Sequence, residues 1–217
     1  MVTKFEEVDA VLKRAQNGDA DAQFELGKLF SEGKIIVQNY DSAFYWFTKA
    51  CEQNHAKAFQ YLGNCYLCGE GVQIDKEKAV ECFKRSGELG CPAGFYNLGF
   101  TYFNGLGTSV DCDKALYYLD KAGQMGESDG FTGAGIVCLH RKDGKKNPLQ
   151  ACDYFCEALN RNPNDATAIF KLGELYAYGI VAKKDNEMAK KLFERSAELG
   201  DADAKQALID LKNGKYD

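Results

Sequence analysis

One sequence unit recurs five times along this chain of 217 residues. A Leu-Gly pair marks the unit at Leu26-Gly27, Leu62-Gly63, Leu98-Gly99 and Leu172-Gly173, and Ala134-Gly135 takes the place of the pair in the fourth copy. Successive copies are 36 residues apart, except that two additional residues precede the fifth. A fixed period of this length indicates a solenoid, in which each repeat buries its apolar face against its neighbours.

Each repeat is predicted to form a helix, a loop and a second helix. Apolar residues recur four positions before each glycine, except for Gln23 in the first repeat, and three positions after it. This is the spacing of an amphipathic helix. Sixteen residues after the glycines stand the alanines Ala43, Ala79, Ala115, Ala151 and Ala189. A phenylalanine or leucine follows each alanine by four positions, so the second helix also has one apolar face. A glycine inside a helix costs about 1 kcal/mol relative to alanine, and its recurrence predicts a close approach of the partner helix.

This pattern predicts an all-α chain built from repeats and two terminal caps. We expect an N-terminal capping helix in residues 1–17 and a C-terminal half-repeat in residues 202–217. The five repeats between them occupy residues 18–201, at about 18–53, 54–89, 90–125, 126–163 and 164–201. Caps with a polar outer face are needed to keep a solenoid soluble.

The composition excludes several classes of protein. A net charge of −5 and a pI near 5.2 leave no basic surface for nucleic acid. The N-terminus has no leader peptide pattern and no apolar run approaches 18 residues, so we expect a cytoplasmic protein without membrane insertion. The nine cysteines are an odd number, which favours reduced thiols. We expect a monomer without a cofactor.

The second repeat carries the most complete motif: Leu62-Gly63, Tyr66, Gly69, Gly71-Val72, Asp75, Lys78-Ala79 and Phe83. With these residues the chain resembles the Sel1-like repeat family, a relative of the tetratricopeptide repeat, over about residues 18–212. The resemblance implies a right-handed α-solenoid that serves as a non-catalytic adaptor for other proteins. The fourth repeat departs most from the motif, with Ala134 for leucine, Cys138 for the aromatic residue and Arg141 for the loop glycine.

The resemblance also implies that the first helices line a concave face. We predict that this face binds an extended peptide or protein segment across repeats 2 to 4, anchored by Tyr96, with Asn64 and Asn104 pairing the peptide backbone. Phe100 and Phe103 add further apolar rings in the third repeat. The whole predicted groove comprises Gln60, Asn64, Tyr96, Phe100, Phe103, Asn104, His140, Glu174 and Tyr178. The alternative is that Phe100 and Phe103 are buried between helices.

An enzyme is the alternative function, because cysteine-rich relatives in the resembling family have been linked to β-lactamase-like hydrolysis. Ser31 and Lys34 satisfy the pattern Ser-x-x-Lys, but neither Ser-Asp-Asn nor Lys-Thr-Gly occurs in the chain. His55 and His140 lie in different repeats, so no catalytic triad is predicted. The glycine-rich stretch 130–135 follows no strand and lies in the first helix of a repeat, so it does not predict nucleotide binding.

The cysteines and one basic run leave further alternatives open. Cys65, Cys68, Cys82 and Cys91 have a superficial zinc-site spacing. Cys65 and Cys82 share their repeat positions with core residues, however, and buried cysteine behaves as a small hydrophobic residue. The third functional class is an oxidoreductase or a metal-linked assembly factor that uses the thiols. The basic run, with His140, Arg141, Lys142, Lys145 and Lys146, is predicted to be a solvated loop or else a contact for an acidic partner.

Overall fold

The computed structural model describes residues 4–180 and 182–216, and this part of the chain consists of helices and the loops between them, without a strand. Its twelve helices are α1 (Lys4–Gln16), α2 (Ala20–Glu32), α3 (Tyr40–Glu52), α4 (Ala56–Cys68), α5 (Lys76–Glu88), α6 (Pro92–Asn104), α7 (Cys112–Gln124), α8 (Ser128–His140), α9 (Pro148–Arg161), α10 (Ala166–Ala177), α11 (Asn186–Glu198) and α12 (Ala202–Lys212). The prediction of an all-α fold is confirmed.

The chain divides into two compact units, one ending at Asp111 and the other beginning at Cys112. Within each unit, every helix packs against the helix that precedes it in the chain. The first unit therefore stacks α1 to α6 in sequence, and the second unit stacks α7 to α12. Such nearest-neighbour packing is what a repeat array requires.

The recurring helical glycines allow two helices of one repeat to approach closely. A Cβ atom on Gly63 would lie 2.5 Å from the ring of Phe83, and one on Gly173 would lie 2.6 Å from the ring of Phe193. Both phenylalanines are fully buried. Gly27 and Gly135 meet Phe47 and Phe155 in the same way. The close approach predicted from the recurrence of glycine is thus confirmed in repeats 1, 2, 4 and 5.

A buried serine joins the two helices of one repeat in both units. In the first unit, Ser86 donates its hydroxyl to the carbonyl of Ala56 at 2.8 Å, and Arg85 donates to Asn54 at 2.8 Å. In the second unit, Ser196 makes the same hydrogen bond to Ala166 at 2.8 Å. The two serine bonds satisfy hydroxyl groups that the close helix packing shields from water.

The ends of the array are covered by short apolar contacts. Helix α1 buries Val11 and Ala15 in a cluster with Ala22 and Leu26 of α2. At the other end, α12 buries Ala204 and Ala207. None of the helices in the described ranges combines the length and the apolar character that crossing a membrane would require.

Candidate functional site

The predicted groove residues of the first unit lie on α4 and α6, two first helices that contact each other. Gln60 and Asn64 on α4 are half-buried, as is Tyr96 on α6. The core positions beside them, Leu62 and Leu98, are buried. Residues from two consecutive repeats are therefore brought to neighbouring helices, outside the apolar core that holds those helices together.

Phe100 is the most exposed aromatic residue on α4 and α6. Its exposed fraction is 48%, whereas Phe103, three positions later, is half-buried. The alternative in which both rings are buried thus fails for Phe100. Asn104 donates its side-chain Nδ2 to the carbonyl of Phe100 at 3.0 Å.

The predicted groove residues of the second unit differ in their exposure and in their contacts. His140 is exposed at the end of α8. Glu174 on α10 forms an ion pair with Lys171 at 2.7 Å. The ring of Tyr178 lies 4.9 Å from the ring of Tyr216, so part of its surface is covered by the C-terminal segment.

Tyr216 is a residue that the sequence reasoning missed. In the first unit, Phe47 packs against Tyr61 with ring centroids 5.2 Å apart. In the second unit, Phe193 packs instead against Tyr216 at 6.1 Å, because Ala207 occupies the repeat position of Tyr61. Since Tyr216 lies beyond the last repeat, its position in the sequence gave no signal of this contact.

The cysteines in the described ranges form no disulfide and no metal-binding group. All nine are free thiols, and no three His, Cys, Asp or Glu side chains in the described ranges are placed to hold a metal ion. Burial raises the pKa of Cys65 and of Cys82 to about 12, which keeps both thiols protonated and unreactive near neutral pH. Both pack in one apolar cluster with Cys51, and the prediction that they fill the core is confirmed.

The side chains that the sequence offered for catalysis form ion pairs or hydrogen bonds with neighbouring residues. The Lys34 ammonium lies 3.2 Å from the Glu32 carboxylate. His55 caps α4, because its Nδ1 accepts the backbone N–H of Ala58 at 3.0 Å. Nε2 of the same ring therefore carries the proton and donates to Asp21 at 3.1 Å. The glycine-rich stretch 130–135 lies within α8, as its repeat position predicted.

One basic residue does not behave as the sequence suggested. Arg141 was expected in a solvated loop, but only 9% of its side chain is exposed. Its guanidinium donates to Asp113 at 2.6 Å and to Asp143 at 2.5 Å. These two carboxylates draw the side chain onto the protein, so the prediction is wrong for Arg141, whereas Lys142, Lys145 and Lys146 are exposed.

Solved structures with the same architecture were found. A protective antigen present in uropathogenic Escherichia coli strains, displaying an SLR fold, is 26% identical with a TM-score of 0.83 over 94% of this chain and 43% of its own. A Sel1 repeat protein from Oxalobacter formigenes is 27% identical with a TM-score of 0.78, over 95% of this chain and 59% of its own. This chain thus spans less than two thirds of either protein.

A more distant structure shows the fold alone. YrrB, a TPR protein with an unusual peptide-binding site, is 21% identical with a TM-score of 0.57, over 92% of this chain and 98% of its own. No curated protein matches this sequence.

A family model described as Sel1 repeat matches residues 20–55, 57–91, 96–127, 133–163 and 166–201. These five matches cover most of the chain and coincide with the five helix pairs α2–α3, α4–α5, α6–α7, α8–α9 and α10–α11. Repeats of this kind commonly serve protein–protein interaction. The chain belongs to the Sel1 repeat family.

Proposed function

We propose that this chain is a non-catalytic interaction scaffold that binds an extended peptide or protein segment across α4 and α6. The observation that carries the proposal is Phe100, a large apolar ring that is 48% exposed on α6. It follows Tyr96 by one helical turn, and Asn64 holds the same repeat position on α4, which contacts α6. An exposed ring beside an amide is suited to anchor a side chain and to pair a peptide backbone.

The free energy available from Phe100 is sufficient for an anchor. A phenylalanine buries about 200 Å² when it is covered completely. Covering the exposed half therefore removes about 100 Å² of apolar surface from water, which is worth about 2.5 kcal/mol at about 25 cal/mol per Å². Such a contribution corresponds to an affinity change of about 60-fold.

The amides would supply direction and register. The Oδ1 atoms of Asn64 and Asn104 can each accept a backbone N–H from an extended segment. Their contribution should be smaller than that of the ring, because a hydrogen bond exchanged with water adds only about 0.5 to 1.5 kcal/mol.

The proposal is tested with a peptide selected from a random displayed library against the full chain. We expect Phe100→Ala to weaken its binding about tenfold or more and Asn64→Ala to weaken it less. Tyr45→Ala is the matched control, because Tyr45 is 52% exposed in the same unit but lies on the second helix α3. The proposal fails if no peptide is selected, or if the control loses as much affinity as Phe100→Ala.

The absence of catalysis is tested separately. Ser31 lies in the last turn of α2, and its only partner for a Ser-x-x-Lys mechanism is Lys34, which is paired with Glu32. We expect no turnover of a chromogenic β-lactam above the buffer blank. Turnover that disappears in Ser31→Ala would overturn the non-catalytic part of the proposal.

A further inference from the structure

A recess of about 280 Å³ opens on the second unit, between α7, α8 and α9. It is lined by Asp120, Phe131, Gln150, Asp153, Tyr154 and Glu157. An engineered cavity of about 150 Å³ is large enough for benzene, so this recess has room for one long side chain. All six residues belong to the second unit, and none is part of the α4–α6 surface.

Two aromatic rings form the apolar wall of the recess. Phe131 is buried, and Tyr154 is half-buried with its ring stacked at a centroid distance of 6.5 Å. The face of Phe131 already attracts a cation, because the guanidinium of Arg161 lies 5.8 Å from its centroid. The same guanidinium bonds to Glu157 at 3.2 Å. Phe131 and Glu157 thus already hold one guanidinium through a ring face and a carboxylate.

The charges of the recess leave room for another cation. Asp120, Asp153 and Glu157 supply three carboxylates, and Arg161 balances only one of them. Asp120 accepts a hydrogen bond from the Gln124 amide at 2.5 Å, which does not neutralise it. Burial raises the pKa of Asp120, so an incoming cation would also relieve the cost of keeping this carboxylate ionised.

The negative charge at Glu157 reverses the charge that the other repeats place there. Six positions after the anchor alanine, the other four repeats carry Lys49, Arg85, Lys121 and Arg195. Two of these cations bridge to the preceding link, where Arg85 bonds to Asn54 and Arg195 bonds to Asn164. Packing between the helices of a repeat therefore does not require an anion at this position, and the hydrogen-bond partners of Glu157 are Arg161 and Asn160 on its own helix.

We propose that this recess binds the cationic side chain of a lysine or arginine on a protein partner. The stem of the side chain would lie against Phe131 and Tyr154, and its charged group would meet Asp153 and Glu157. A cation on an aromatic face combines with charge-assisted hydrogen bonds in such a site. The recess and the α4–α6 surface share no residues, so this inference can be tested independently of peptide binding at α4 and α6.

The test is an NMR titration of the full, isotope-labelled chain with the short blocked peptide acetyl-Gly-Arg-Gly-amide. The matched probe acetyl-Gly-Gln-Gly-amide has the same backbone without the charge. We expect saturable shifts of the amide signals of α7, α8 and α9 with a Kd of about 1 mM for the arginine peptide, and no saturation for the glutamine peptide. The shifts should weaken as salt is added, because charges at the surface are screened.

Two variants separate the charge from the rings. Glu157→Lys introduces the cation found in the other repeats, and Tyr154→Leu introduces the residue that Leu192 provides in repeat 5. Both should keep the fold and weaken the arginine peptide at least fivefold. Glu198→Lys is the control, because it makes the same charge change on an exposed residue of α11 outside the recess. Equal shifts from both peptides, or equal weakening in the control, would overturn the proposal.

Discussion

Repeats 2 and 3 differ from repeat 4 in how the loop between their two helices meets the preceding repeat. In repeat 2, Gly71 lies directly against the backbone carbonyl of Tyr40 at the start of α3. In repeat 3, Gly107 lies in the same way against Lys76 at the start of α5. Both glycines have a positive φ, 71° and 70°. Here a backbone shape that only glycine adopts easily makes the junction.

Repeat 4 makes the corresponding junction with charge. Asp143 occupies the position of Gly71 and Gly107, and Arg141 occupies the position of the other loop glycine. The guanidinium of Arg141 bonds at 2.6 Å to Asp113, near the start of α7. The same fold thus forms this junction in two ways. The glycine junctions should be destabilised by an added side chain, and the arginine junction should be destabilised by the loss of its charge.

The largest loss of stability is expected when a side chain is added at a glycine junction. Gly71→Ala should lower the free energy of unfolding by about 3 to 5 kcal/mol, because the new Cβ adds overlap with the Tyr40 backbone to the strain of a positive φ. Gly144→Ala in repeat 4 is the matched control, since Gly144 has a φ of 77° but no atom within 4 Å of the new Cβ. That control should lose only about 1 to 2 kcal/mol.

Urea unfolding at neutral pH compares the two alanine variants directly. A larger loss for Gly71→Ala assigns the difference to the backbone contact, because the positive φ is common to both sites. Equal losses would show that the close approach to Tyr40 adds nothing and would break the comparison.

A smaller effect is expected when the charge at the other junction is removed. Arg141→Met retains much of the side-chain volume but leaves Asp113 and Asp143 without their shared donor, and it should cost about 1 to 2 kcal/mol. Arg161→Met is the control, because the Arg161–Glu157 pair is about half exposed and exposed pairs contribute about 0 to 1 kcal/mol. If both variants unfold at the same urea concentration, the repeat 4 junction does not depend on its charges.

The smallest effect is a pH dependence confined to repeat 4. The hydrogen bond from Arg141 holds the pKa of Asp143 well below its usual range, whereas an unfolded aspartate has a pKa of about 3.9. The stabilisation is therefore fully present above the unfolded pKa, and it is lost as the pH falls towards the folded pKa. Unfolding midpoints of the wild type and Asp143→Asn should differ at pH 7 and converge as the pH is lowered below about 4. A difference that stays constant down to the lowest pH would contradict this account.

The residues that sequence reasoning placed correctly are those that every repeat uses in the same way. The Leu-Gly pair and the anchor alanine predicted both helices of each repeat, and the helical glycines predicted contacts such as Gly63 with Phe83. These contacts are local and repeated, so the period itself carries the information. Cys65 and Cys82 were assigned to the core by the same logic.

The features that the sequence did not predict involve residues that do not follow the repeat pattern. Arg141 is drawn onto the surface by Asp113, 28 residues earlier in the chain, and no single repeat shows that pair. Tyr216 fills a ring position from outside the repeats. The recess at Glu157 needs three helices together with one reversed charge. On the α4–α6 surface, the sequence identified the residue types, but the exposure of Phe100 follows only from packing.

The central claim is that a partner segment lies on the first helices α4 and α6. Hydrogen exchange of the full chain, measured by mass spectrometry with and without a library-selected peptide, tests it most directly. The account predicts slower exchange in the segments that contain Asn64 and Phe100, and unchanged exchange in the second helices α3 and α5. Protection confined to α3 and α5, with α4 and α6 unaffected, would contradict it.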